Sequence, residues 1–363
     1  MATQPTATRS DAKFPDIGKV SPEFFDQVIY PRLGAKRKDV LVGPRHGVDI
    51  GILKIGGGQI MAITTDPFYI LPLYGWEKAA WFAWHILASD VVNSGFPPSH
   101  FAIDLNLPMS MTEAEFGQMW AVVDRECKKY GVAVVTGHTA RYTGTDYPMV
   151  GGATMMAVGP EDRYITPEMA KPEDVVIVTK GPAIEAVGIF SSLFPETIRS
   201  KLGDEVLEQG QSLFYKMSTV DDALAAASVG LRSEGVTAMH DATECGVLGA
   251  LYEVAQASMV GLLIEKSMIP VQPGVPEICG LFGMDPFISI SEGTLVMTVD
   301  QRKVEAVLAA LKARGCDAAA VGSVRPLKAG LTLVDDGVKK PLEHPRVDPF
   351  WGAIKTALEH GLR

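Results

Sequence analysis

The chain of 363 residues is longer than one hydrophobic core usually organises, so its length predicts two domains. Hydrophobic residues make up 47% and charged residues 21%, ordinary globular values that exclude a disordered chain, and the 36 glycines and 24 prolines follow no collagen-like period. Net charge is −10, from 43 acidic against 33 basic residues, so the surface has no general attraction for nucleic acid or anionic lipid.

Four cysteines (Cys127, Cys245, Cys279, Cys316) share no CxxC spacing and match neither a disulfide framework nor a structural zinc site. The opening MATQPTATRSDAK lacks the apolar core of a secretory signal, and no run approaches the roughly 18 apolar residues of a membrane span. The expectation is a soluble, cytoplasmic protein without membrane or nucleic-acid partners.

Residues 1–20 read as a loose polar tail. SPEFFDQVIYPRLG opens like a helix, with Ser21 as N-cap and Pro22 at its first position. Strand-like runs follow at Asp49–Ile55, Gln59–Thr65, Phe101–Leu107, Val132–Thr136 and Pro148–Val158. Between them lie helices predicted from about Trp76 to Asn93 and from about Glu113 to Tyr130. The second is opened by the capping box Thr112–Glu115 and closed by Gly131. Trp76, Trp81 and Trp84 at helical spacing read as core or dimer contacts.

A Pro-rich, charged stretch at residues 159–172 reads as a boundary. Beyond it the alternation restarts. Strands are predicted at Asp174–Thr179, Val236–Met239, Gly261–Glu265, Phe287–Ser291, Leu295–Val299, Ala319–Val321 and Leu331–Val334. Helices are predicted from Pro182 to Phe194, at Asp204–Met217 and Asp221–Val229, from HDATECG to Ala257, and at Arg302–Arg314. The expected organisation is a tail and helix (1–40), two α/β domains with mixed sheets (41–165 and 166–345), and a C-terminal helix (346–363).

Several acids stand where a solubilising carboxylate has no reason to be. Asp49 leads into a strand in GVDIG, and Asp66 follows the strand IMAITT. Asp90 and Asn93 sit one turn apart inside an apolar helix. Asp241 lies between a strand and a Gly-opened helix in MHDATECG. Each also has a plain structural reading: a turn residue, a pre-proline cap, a backbone bond, an N-cap element. Yet a charged carboxylate among apolar residues is costly unless paired or bound to metal. Mg²⁺ takes one or two carboxylates together with substrate phosphates, so acids converging on one cleft would make a Mg–nucleotide site. Gly137-His138-Thr139, ending a strand, adds a close-approach glycine and a histidine able to meet phosphate or metal, or forms a hairpin-end turn. GILKIGGGQ lacks the phosphate-loop spacing, and Gly56-Gly57-Gly58 reads as a hairpin turn.

In this order the motifs resemble the aminoimidazole-ribonucleotide (AIR) synthase superfamily, with thiamine-monophosphate kinase, selenophosphate synthetase and a hydrogenase maturation branch. From about Val48 to Val324, GVDIGIL is similar to the family's DDAAV strand, with Val48 at its first Asp. ITTDPF matches TTD, ASDVVNSGFPP the helix motif, and VTGHT the GGDT or GGHT element. MHDATECGVLGALYEVAQASMVGLLIEKSMIPV resembles the RDPTRGG…IPV segment of the hydrogenase maturation branch. DPFISISEGTLVMTV resembles its DPL…NEG strand, and AAAVGSV its IGxV element.

The resemblance implies a two-domain PurM-like fold and a homodimer whose N-terminal sheets pair into a barrel. It implies ATP and Mg²⁺, with Asp49, Asp66, Asp90 and Asp241 as metal ligands. Asp49, Asp66, Asp90, Asn93, Gly137, His138 and Thr139 would contact the cofactor, and Glu292, Asp241 and His138 would be catalytic. The implied reaction is γ-phosphoryl transfer to an oxygen of a small metabolite. The alternatives are a kinase for a vitamin-like or nucleoside-like alcohol and a non-catalytic nucleotide-binding partner in a maturation complex. Three departures stand out. The chain ends LEHGLR, without the reactive terminal cysteine of the maturation enzymes; the SHGxGG loop is missing; and no cysteine precedes Cys127. The expectation is that thiocyanate chemistry on its own tail is excluded unless a partner protein supplies the thiol. Cys245, at a helix N-terminus, reads as a small packing residue.

Overall fold

The computed structural model describes residue 20 and residues 22–363; the expected tail and the Ser21 cap lie outside the described residues. The first segment forms α1 (Pro22–Phe24), continued by a wide turn over Phe25–Ile29. Strands β1 (Val40–Val42), β2 (Gly51–Gly56) and β3 (Gln59–Tyr69) follow, then α2 (Trp76–Val92), β4 (Pro98–Leu107), α3 (Glu113–Tyr130), β5 (Ala133–Arg141) and β6 (Met149–Pro160). These strands make one mixed sheet in the order β1-β2-β3-β6-β4-β5.

The second half begins with β7 (Val175–Thr179), α4 (Ile184–Leu193), α5 (Pro195–Leu202), α6 (Asp204–Ser212) and α7 (Val220–Ala227). It continues through β8 (Val236–Ala242), α8 (Gly246–Ser258), β9 (Gly261–Glu265), α9 (Val275–Leu281), β10 (Thr294–Val299) and α10 (Val304–Ala313). It closes with β11 (Ala318–Arg325), β12 (Leu331–Asp335), β13 (Val338–Pro341) and α11 (Pro349–Glu359). Its strands form a second mixed sheet, ordered β13-β12-β9-β11-β7-β10-β8. The protein is a mixed α/β molecule with two mixed sheets.

Local chemistry explains the clearest elements. The Thr112 hydroxyl accepts from Glu115 N–H at 3.3 Å while Glu115 Oε2 accepts from Thr112 N–H at 2.7 Å, and Gly131 ends α3 at φ +71°. The β2–β3 hairpin turns at Gly56, Gly57 and Gly58, all at positive φ. Helix α2 is buried nearly throughout, including Trp81, Trp84, Leu87 and Val91, because it lies between layers rather than on a surface. One face of the first sheet packs Ile60, Ala62 and Phe101 against this layer. Its apolar core runs on through Phe190, Ala223 and Val307 to the second sheet, whose far face is covered by α8.

Four expectations need correction. Strand β3 runs through Asp66 rather than ending before it, because Thr65, Asp66 and Pro67 stay in register with Thr154, Ala153 and Gly152. Strand β5 likewise continues through Gly137-His138-Thr139, paired in parallel with Ile103, Asp104 and Leu105, so this stretch is not a strand-end loop. Residues 287–291 are not a strand: Asp285 Oδ1 accepts from Phe287 N–H at 2.9 Å and closes a helical turn, Pro286–Ile288. Helices α5 and α9 were not expected; each starts with proline at its first or second position.

Candidate functional site

Helix α2 carries a polar stripe on a body that is otherwise apolar. Lys78 Nζ donates to Ser192 Oγ at 3.0 Å, and His85 Nδ1 and Ser218 Oγ are 2.7 Å apart. Ser89 Oγ accepts from Thr219 N–H at 3.0 Å, and Asn93 Nδ2 donates to Asp241 Oδ1 at 2.5 Å. Spacings of seven and four residues keep these groups on one side of the helix. They face the second half of the chain, and the stripe ends among the acids.

Asp90, 5% exposed, points from α2 toward β3 and accepts from Thr64 Oγ1 at 2.8 Å. Burial, then the charges of Asp241, Asp66 and Asp49, hold its carboxyl well above the ordinary aspartate range against the Thr64 bond. Asp241, 1% exposed at the end of β8, is raised by burial and by Asp49, while His240 and the Asn93 bond pull it down. Its Oδ2 has no hydrogen-bond partner, nor does Asn93 Oδ1. Asp66 is half-buried on β3 and Asp49 exposed just before β2. The structure therefore brings Asp49, Asp66, Asp90, Asn93 and Asp241 into one neighbourhood where the two halves meet.

Gly47 explains how Asp49 arrives there. It sits at φ +68°, and a Cβ on it would lie 2.9 Å from the Glu253 carbonyl oxygen of α8. Only glycine lets this loop press against α8 and set Asp49 beside His240. The Asp49 Oδ2 to His240 Nδ1 distance is 3.8 Å, and Asp241 Oδ1 lies 3.9 Å from the same nitrogen. His240 Nε2 and Glu253 Oε2 are 3.0 Å apart. Burial disfavours charge on this 2%-exposed ring, yet the bond and charge of Glu253, with Asp49 and Asp241, carry it up to about 9.

Glu292 lies 1% exposed in the turn before β10. Its Oε1 accepts from Gly293 N–H at 3.0 Å, and its backbone N–H donates to Glu185 Oε2 at 3.0 Å. Burial, Asp241 and Glu185 push its carboxyl well above the usual range, and burial pushes Glu185 to about 8. Burial that raises a carboxyl in this way also makes its ionised form a stronger base, suited to taking a proton from a bound oxygen.

His138 stands apart. It is exposed on the edge strand β5, with Nε2 3.0 Å from Tyr142 Oη. Register pairs Asp66 with Ala153, Ala153 with Ile103, and Ile103 with Gly137. Three strand spacings of about 4.8 Å thus separate β3 from β5, and alternation turns His138 to the opposite face from Asp66. Gly137 and Thr139 share that distant strand. Within one protomer these residues are not brought to the acids.

His240, Glu253, Glu185 and Thr64 were not singled out from the sequence. Glu185 carries the same signal as Asp90, an acid inside the apolar run PAIEAVGIF, and His240 is a histidine in the apolar strand VTAMHDA. Cys245 is buried at 6% exposure, as a packing residue would be. Among the described residues no three His, Cys, Asp or Glu side chains form a ready-made metal cage, and no helix is long and apolar enough to cross a membrane. The carboxylates of this neighbourhood, with Asp241 Oδ2 unpartnered, nonetheless fit Mg²⁺, which needs few protein ligands when phosphates supply the rest.

Comparison with known proteins agrees with this architecture. Carbamoyl dehydratase HypE of Escherichia coli (strain K12) is 28% identical over 307 residues, covering 82% of this chain and 85% of that protein. The crystal structure of E. coli HypE matches with a TM-score of 0.66 and 26% identity over 80% of this chain and 87% of that one. A structure of hydrogenase maturation protein HypE in complex with ATP, 19% identical, shares the fold with a TM-score of 0.61 over 91% of this chain and 93% of that one. The model of the AIR synthase related protein N-terminal domain matches residues 47–158, and that of the C-terminal domain matches residues 171–331. The chain belongs to the AIR synthase related protein family and has its PurM-like fold.

Proposed function

We propose that this protein is an ATP- and Mg²⁺-dependent enzyme that transfers the γ-phosphoryl group to an oxygen of a small metabolite and so activates it. The observation that carries the reading is the meeting of Asp90 and Asp241 from opposite halves of the chain, joined through Asn93 and faced by Asp49 and Asp66. HypE, a relative that aligns over about four-fifths of the chain, is named a carbamoyl dehydratase, and a HypE structure holds ATP. Bound Mg²⁺ would neutralise phosphate charge and orient the γ-phosphoryl group.

In this reading Asp49, Asp66, Asp90 and Asp241 hold the metal and, through it, the phosphates. Asn93 keeps Asp241 aimed at them. Glu292, held by Glu185 and Gly293, takes the proton of the attacking oxygen. The two sheets are taken as the cores of domains 41–165 and 166–345. The outward face of the first sheet carries the part-exposed Leu53, Met61, Ile63 and Met156, which supports pairing of two copies through it. His138, turned to that face, would reach phosphates only in such a homodimer. ADP release is to be measured with phosphate acceptors and with carboxamides. Turnover that needs Mg²⁺ and disappears in Glu292→Gln supports the reading; no Mg²⁺-dependent turnover with any acceptor counts against it.

A further inference from the structure

The C-terminal family domain ends at residue 331, yet a later segment reaches the site. Asp348, 6% exposed, caps α11 through Oδ1, which accepts from Phe350 N–H at 2.9 Å. Its Oδ2 accepts from Cys245 N–H at 2.7 Å, in the turn directly after Asp241. The backbone of Ile290, in the turn that carries Glu292, lies close enough to lower the pKa of the same carboxyl. One turn along α11, Trp351 Nε1 donates to Glu244 Oε1 at 3.1 Å. Just before the helix, His344 lies edge-on to Tyr252 of α8 at 5.4 Å.

The turn that Asp348 holds, and its packing against the turn before Glu292, are costly to maintain. Cys245 sits at φ +66°, in the left-handed region, which strains a non-glycine residue. Gly246 is at φ +60°, and a Cβ there would lie 2.5 Å from the Ser289 carbonyl oxygen, so the turns press backbone to backbone. Ser291 N–H donates to Thr243 O at 3.3 Å across the same seam. A buried backbone N–H left unpaired would add to that cost. Asp348 satisfies that of Cys245.

Building on the proposed function, we propose that Asp348 is a positioning residue: from beyond the family domain, its carboxylate staples the turn after Asp241 to the start of α11, holds it against the turn before Glu292, and so fixes the separation of metal ligand and base. Trp351 assists through Glu244. The strain at Cys245 makes that turn the first to open when the staple is removed.

The test uses the full chain and a maleimide as probe. Asp348→Asn keeps an oxygen to cap α11 but turns an amide toward the Cys245 N–H. Cys245 alkylation, followed peptide by peptide, is expected to quicken by about tenfold or more, the effect of about 1.4 kcal/mol of local opening. The buried Cys127 and Cys279 serve as references and are expected to stay protected. Trp351→Phe is expected to quicken Cys245 less, and it serves should Asp348→Asn fail to fold. Mg²⁺-dependent affinity for a non-hydrolysable ATP analogue is expected to weaken about tenfold in Asp348→Asn. Unchanged Cys245 labelling in both variants overturns the proposal, as does a rise in all three cysteines together, which assigns Asp348 to global stability. Absence of nucleotide binding in the wild type counts against the proposed function, while Cys245 labelling still decides the staple.

Discussion

Asn93 donates to Asp241 at 2.5 Å, and this bond ties the last turn of α2, in the first half of the chain, to the end of β8 in the second. Both residues are 1% exposed, and each keeps one oxygen without a partner. A buried amide that spends one donor on a carboxylate and leaves its carbonyl open is poor structural economy. It is sensible at a site that receives a ligand.

Asn93→Ala removes the donor and leaves Asp241 with two unpartnered oxygens. We expect a loss of about 1–3 kcal/mol in unfolding free energy, read from urea midpoints at constant m. Asn93→Asp should cost more at neutral pH than at pH 5, because it adds a carboxylate beside Asp90 and Asp241.

Asp90→Asn preserves shape and the Thr64 bond, so the protein should fold. Mg²⁺-dependent nucleotide affinity should fall by about tenfold or more. Unfolding of this isosteric variant would instead make Asp90 a purely structural acid, contrary to the proposed site.

Stability of the metal-free protein should fall as pH rises. Glu185 moves from 4.5 to about 8 on folding, and Asp90 and Glu292 move in the same direction. A carboxyl raised in the native state binds more protons there than in the unfolded chain. Its contribution is therefore fully present below the unfolded value and lost as pH rises through the folded one. His240, raised from 6.5 to about 9, follows the same sign in a higher window. Melting temperatures should thus decline between about pH 4.5 and 9, and Glu185→Gln should flatten the lower part of that slope.

Mg²⁺ with nucleotide should reverse the trend, since metal binding requires these carboxylates deprotonated. The rise in melting temperature on adding both should be larger at pH 8 than at pH 6. An equal rise at both values would mean that no buried acid loses a proton on binding.

Much of this was legible in the sequence because burial leaves a pattern there. Asp90 and Asp241 stand among valines, alanines and methionines, and a charge in such company announces its own cost. The capping box of α3 and the glycine hairpin after β2 are local devices that need no tertiary knowledge. What stayed hidden depends on pairing. Nothing local tells that β3 continues through Asp66 or β5 through His138, since neighbouring strands supply those hydrogen bonds. Asp348 carries no local signal of its role, which comes from its bond to Cys245, 103 residues away in the chain.

The most direct test of the account is isothermal titration of the full chain with a non-hydrolysable ATP analogue, with and without Mg²⁺, for wild type and Asp66→Asn. Asp66 is half-buried, so the substitution should leave the fold intact. The account predicts Mg²⁺-dependent binding by the wild type and a loss of about tenfold or more in the variant. Binding that ignores Mg²⁺, equal affinity in both proteins, or no binding at all would contradict it.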